Sequence, residues 1–143
     1  MNYIHARFPS AVEKISYGFH EGKVHGIKLD EIPAGTTLVI APDSSSNDYT
    51  EHETLQQRGI DVVVLDHHQA EKVSEYACVV NNQLCDYPTK SLSGVGIVYK
   101  LCQYLDMICG GTPCADDYLD IVALGLVGDM MDARDMETHY LIQ

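Results

Sequence analysis

Basic residues are scarce in this chain. Its 143 residues include nine lysines and arginines against 21 aspartates and glutamates, a formal charge of −12 at pH 7. A surface this acidic repels a polyanion, which excludes nucleic-acid recognition by a broad basic patch. A phosphate-bearing substrate would need bound cations, or a part of the protein outside this chain, to attract it. No stretch approaches the roughly 18 apolar residues of a membrane-spanning helix. The opening Met1-Asn2-Tyr3-Ile4-His5-Ala6-Arg7 is too polar for a secretory signal. The cysteines (Cys78, Cys85, Cys102, Cys109 and Cys114) form no Cys-x-x-Cys pair, so a zinc ribbon is not expected. Their odd number without an export signal points to reduced thiols and a cytoplasmic location. Most of them lie among apolar residues, as small core side chains do. There is no Gly-x-Gly-x-x-Gly, no P-loop and no nucleophile elbow, which removes the chemistries those motifs carry. Internal repeats and low-complexity segments are also missing.

What is present is organised around Asp61-Val62-Val63-Val64-Leu65-Asp66-His67-His68. The apolar run, mostly β-branched, predicts a short strand buried on both faces. It ends abruptly in three side chains of ligand type. In open parallel sheets the ligand crevice lies at that end of the strands. Strands are also expected over residues 15–19, 36–41 and 76–80. A helix should begin at Asn47 or Asp48 and run to about Arg58, with Gly59 ending it. Residues 1–14 read as the tail of a helix and a loop broken at Pro9. After Asn81 the pattern turns helical: one helix from Ser91 or Ser93 to Gly110-Gly111, one over 116–127, and one from about Asp135. The strand–helix–strand alternation predicts a single domain over 1–143 of α/β class: three layers, with a mostly parallel sheet flanked by helices.

Three features carry chemistry. The first is Asp66-His67-His68. One histidine after a strand is more often a hydrogen-bonded structural residue, but a tandem pair behind a strand-terminal Asp reads equally well as a ligand set. The second is Asp43, which also follows an apolar strand and would lie beside Asp66 in a parallel sheet; alone it reads as a loop or capping acid. The third is Asp129, directly after an apolar helix, where the helix dipole disfavours an acid unless a cation holds it. Carboxylates with imidazole suit Mn²⁺ or Mg²⁺, with Zn²⁺ a further option. Such a site activates water and neutralises a phosphoryl group under attack. Ser93, Gly94 and Gly96 could offer backbone N–H groups to a phosphate at a helix start, or simply allow close helix packing. The loop His20-Glu21-Gly22-Lys23-Val24-His25-Gly26, including His25, could contact phosphate or stay solvated. Arg134 beside Asp132 reads as a surface pair or a weak substrate contact.

These residues resemble a known family. Asp66-His67-His68 is similar to the signature of the DHH phosphoesterases, Pro42-Asp43-Ser44 to their second acidic motif, and residues 123–132, Ala-Leu-Gly-Leu-Val-Gly-Asp-Met-Met-Asp, to a later one. The loop over residues 20–26 and the stretch over residues 87–100 resemble the RecJ-like branch, the 5′→3′ single-strand-specific exonucleases and their phage-type relatives. The resemblance implies metal-dependent phosphodiester hydrolysis of single-stranded DNA with Mn²⁺ or Mg²⁺. Asp43, His67 and Asp129 would be metal ligands, His68 would face the scissile phosphate, and Asp66 would orient its neighbours. Two alternatives stay open: a phosphodiesterase for short oligonucleotides or cyclic dinucleotides, and a shortened relative that binds or assembles without turnover. The family's opening Asp-x-Asp-x-x-Gly motif has no counterpart before Asp43, where Asp30 is the sole aspartate. The chain is therefore expected to start after that motif and to stop before the family's second domain. An incomplete two-metal site would follow. So would apolar sheet edges that a partner chain, a second copy or another segment covers.

Overall fold

The sheet is built from three short apolar runs, β1 (Leu38–Pro42), β2 (Asp61–Asp66) and β3 (Cys78–Asn81). The structure is a computed structural model and describes residues 2–19 and 25–143. The strands lie in the order β1-β2-β3 with both pairings parallel. In register, Pro42 faces Leu65 and Asp66 faces Asn81. The polar ends of all three strands therefore lie level along one edge.

Side chains alternate across a strand, so β2 serves two cores. Val62 and Val64 pack with Leu55 of α2 (Tyr49–Gln57) and with Val39 and Val79. Val63 and Leu65 face the other core. It gathers Ile97 of α3 (Gly94–Cys109), Val122 and Leu126 of α4 (Leu119–Gly128), Leu141 of α5 (Met136–Ile142) and Tyr3 of α1 (Asn2–Arg7). The outcome is the expected three-layer α/β arrangement with a parallel sheet between helices. Gly59, at φ +72°, turns the chain out of α2 and into β2. Asp135 caps α5, accepting from the N–H groups of Glu137 and Thr138 at 3.0 and 3.3 Å. The N-terminal helix is tied down by Asp106. That buried carboxylate accepts from Tyr3 Oη at 2.9 Å and from the N–H groups of Cys114 and Ala115.

Several local expectations shift. Residues 15–19 form no strand; they have no neighbour in the sheet, and Tyr17 and Phe19 are exposed. Pro9–Lys14 is a 3-10 helix rather than a loop. The strand expected over 76–80 runs instead over Cys78–Asn81. Asp48 sits at the start of α2 but its carboxylate does not cap it; Oδ2 accepts the Ile27 N–H at 2.8 Å and holds the preceding loop. The helix expected from residue 116 opens as a 3-10 turn, Ala115–Tyr118, before α4. Of the polar loop over residues 20–26, residues 20–24 lie outside the described residues.

Apolar surface is left open at one edge. Leu38 and Ile40 of β1 are each 48% exposed. Ile121, Leu124 and Val127 of α4 are exposed as well. Within the α2 layer, His52 is fully buried and neither ring nitrogen has a hydrogen-bond partner. Burial lowers its pKa from the ordinary 6.5, against the opposing pull of Asp48 and Glu51. A lowered folded-state value means that the unfolded chain takes up the proton first. His52 therefore favours folding fully above about pH 6.5, and that contribution is lost as pH falls toward the folded-state value. Urea unfolding at pH 7.5 and 5.5 should show a smaller acid-induced loss of stability in His52→Leu than in the parent chain.

Candidate metal centre

Asp66 lies at the last position of β2 and is 1% exposed. A carboxylate buried this deeply must have its lone pairs filled. Oδ1 accepts from the N–H groups of His67 (2.8 Å) and His68 (3.2 Å) and meets His68 Nδ1 at 2.7 Å; Oδ2 accepts from the Ser46 N–H at 3.1 Å. Burial pushes its pKa up, but the hydrogen bonds from His68 and Ser46 outweigh this and hold it below the ordinary carboxylate value. These bonds curl the chain around Asp66 and set the half-buried His67 ring beside the exposed His68 ring, with centroids 4.5 Å apart. A carboxylate against His68 Nδ1 favours the tautomer protonated there, leaving Nε2 for a metal or a phosphate.

The next loop over carries Asp43, whose N–H donates to the Leu65 carbonyl at 2.8 Å and extends the β1–β2 pairing. Asp43 (φ 59°) and Ser45 (φ 79°) both adopt left-handed backbone, which costs a non-glycine residue roughly 1–2 kcal/mol each. The turn brings Asp43 Oδ1 to 3.2 Å from His67 Nε2. That contact raises the His67 pKa above 6.5, against its partial burial, and the charges of Asp129 and Asp66 add to the rise. Asp43, His67 and His68 each offer one ligand atom, all within 4.8 Å of one another. This is a donor set of mixed carboxylate and imidazole, which fits a hard-to-borderline divalent cation.

Helix α3 closes the site from below. A Cβ placed on Gly94 would lie 2.2 Å from Asp43 Oδ1 and 2.6 Å from Asp43 Cβ. Only glycine leaves room for the carboxylate there. The same approach sets the positive end of a 16-residue helix beside Asp43. Ser93, just before it, is fully buried and its Oγ has no partner.

The other expected residues are placed as follows. Asp129 follows α4, with its N–H on the Gly125 carbonyl at 3.0 Å, and it is exposed. His25 lines a cavity of about 200 Å³ together with Asp43, Asp66, His68 and the serines 44–46. Gly96 faces the core instead; a Cβ there would meet Leu92 at 3.2 Å and Leu126 at 3.6 Å. Arg134 is committed to Asp132 at 2.6–3.2 Å on the surface. Three residues went unremarked in the sequence. Asn81 donates to Ser46 Oγ and to the His68 carbonyl, and the Ser46 N–H donates to Asp66. Glu137 accepts from Tyr87 Oη at 2.9 and 3.0 Å and pairs with Lys100, joining α5 to α3 and the segment before it. The available signal was strand termination: Asn81 ends β3 where Asp66 ends β2.

Asp43, His67 and His68 thus converge at the carboxyl ends of parallel strands, where such donors could hold a divalent cation. A profile of the DHH family, N-terminal domain, matches residues 1–126, and the chain belongs to that family. It is 44% identical over 143 residues to the putative SPbeta prophage-derived single-strand DNA-specific exonuclease YorK of Bacillus subtilis strain 168, covering 99% of this chain and 24% of that protein. It is 31% identical over 136 residues to the single-stranded-DNA-specific exonuclease RecJ of the same bacterium, covering 93% of this chain and 16% of that protein. The chain thus spans about a quarter or less of the length of these relatives. The crystal structure of exonuclease RecJ bound to manganese superposes with a TM-score of 0.72 at 23% identity, over 82% of this chain and 31% of that one. That likeness is one of fold.

Gly94→Ala should push Asp43 away from His67 while leaving the cores intact. Calorimetric Mn²⁺ titration is expected to show affinity reduced by about tenfold or more, with unchanged far-UV circular dichroism. Because the Asp43 contact raises the His67 pKa, protons compete with the cation. Binding should weaken as the pH is lowered.

Proposed function

We propose that residues 1–143 are one phosphoesterase-type unit whose metal centre hydrolyses phosphodiester bonds of single-stranded DNA from the 5′ end, in the cytoplasm. The observation that carries this reading is the convergence of Asp43, His67 and His68 within 4.8 Å in a chain of the DHH family. The names of YorK and RecJ as single-strand-specific exonucleases support the substrate class. A bound Mn²⁺ or Mg²⁺ would supply positive charge that neutralises a phosphoryl group and activates water.

The chain's own residues do the rest. Asp43, His67 and Asp129 would hold the cation. His68, steadied through Nδ1 by Asp66, turns its other nitrogen toward the scissile phosphate. The start of α3 at Ser93 and Gly94 bounds the site on one side and His25 on another. Gly96 serves the packing of α3, and Arg134 lies at the periphery. With a formal charge of −12, the cation carries most of the attraction for phosphate.

A second reading is favoured by the open apolar surface on β1 and α4: a binding or assembly module without turnover, covered there by a second copy or another chain. Short oligonucleotides or cyclic dinucleotides would suit an acidic site better than long DNA.

The discriminating assay uses rigorously purified chain with Mn²⁺, Mg²⁺ or chelator and 5′-labelled single-stranded DNA or a dinucleotide. Metal-dependent release of mononucleotide, reduced about a hundredfold or more in His67→Ala and Asp43→Ala, is the expected result. Absence of turnover with every metal, together with self-association in sedimentation, would favour the assembly reading.

A further inference from the structure

Strand β3 contributes no metal ligand, yet its last residue touches both ligand-bearing loops. Asn81 lies opposite Asp66 in the register and is 3% exposed. Its amide nitrogen donates to Ser46 Oγ at 2.8 Å and to the His68 carbonyl at 2.9 Å, while Oδ1 accepts the Gln83 N–H at 2.8 Å. A carbonyl can only accept and a backbone N–H can only donate, so the carboxamide has one consistent orientation. Ser46, itself 1% exposed, ends the turn in which Asp43 and Ser45 hold left-handed backbone. Strained backbone of that kind persists only when its surroundings over-determine it.

Asp66 grips this turn and the His67-His68 loop by their N–H groups. Asn81 grips the same two segments by an oxygen on each. Being neutral, it adds no negative charge beside Asp66, which a carboxylate in its place would do.

We propose that Asn81 is a positioning residue for the metal centre: by bonding Ser46 and His68 at once, it locks the strained turn carrying Asp43 against the loop carrying His67 and sets the distance between those two ligands. This rests on the reading of Asp43 and His67 as metal ligands.

The test compares Asn81→Ala, Ser46→Ala and the double variant by Mn²⁺ calorimetry, thermal unfolding and backbone amide NMR. Each single variant should bind Mn²⁺ about tenfold or more weakly, with the double variant scarcely worse than either, as expected of one shared clamp. Affinity within about twofold of the parent, with only the melting temperature lowered, overturns the proposal and leaves Asn81 a structural residue. If Asn81→Ala does not fold, Ser46→Ala decides, because it removes one contact and leaves Asn81 bonded to His68. If the parent chain binds no Mn²⁺, the metal reading falls and the clamp is judged in metal-free protein. Amide resonances of Asp43 and His67 that move together in Asn81→Ala sustain it, and changes confined to residues 79–83 overturn it.

Discussion

The buried carboxylate of Asp66 governs the geometry of this end of the molecule. An ionised group at 1% exposure is stable only if its oxygens are saturated, and the donors nearest to hand are the N–H groups of the residues that follow it and of the adjoining loop. Meeting that demand forces the chain to curl immediately after β2. The curl delivers two imidazoles, side by side, to the mouth of the sheet. The same carboxylate draws in Ser46, so the loop after β1 cannot drift away from the loop after β2. Parallel register completes the arrangement by placing Asp43 one step beyond the Pro42–Leu65 pair.

What Asp66 holds in place is under tension. Asp43 and Ser45 adopt backbone that glycine would accept without cost, and Asp43 presses so closely on α3 that position 94 admits no side chain. Backbone strain and steric tightness at one carboxylate are characteristic of sites where orientation matters more than stability. The electrostatics agree. Asp43 in contact with His67, with the charges of Asp129 and Asp66 adding to it, raises its affinity for a proton, and a divalent cation would satisfy the same field more fully.

The family relationship gives this arrangement its chemical meaning, while length limits how far it extends. YorK and RecJ are four or more times as long as the matched stretch, so their activity as whole proteins rests on more than the residues present here. Aliphatic residues on β1 and α4 stay open to solvent. Helix α4 is apolar nearly all round, as a helix covered on several sides would be.

Much of this was legible in the residues themselves. A short β-branched run ending in Asp-His-His predicts a buried strand with a site at its end, and strand–helix alternation predicts parallel pairing, because both follow from local pattern. The ligand types and the family likeness follow from the same motifs. The likeness of residues 15–19 to a strand misled, because a strand needs a neighbour that pattern cannot supply. Asn81 carried no signal of its own, because its two bonds span 13 and 35 positions of sequence. Gly94 read as a phosphate cradle or a packing site, while the contact that demands glycine comes from Asp43, 51 residues earlier. The sequence by itself determined which side chains end the central strand and what chemistry they can perform. Only the tertiary structure decided how those ends meet, because the distances that make a site are set between segments by register, burial and close packing.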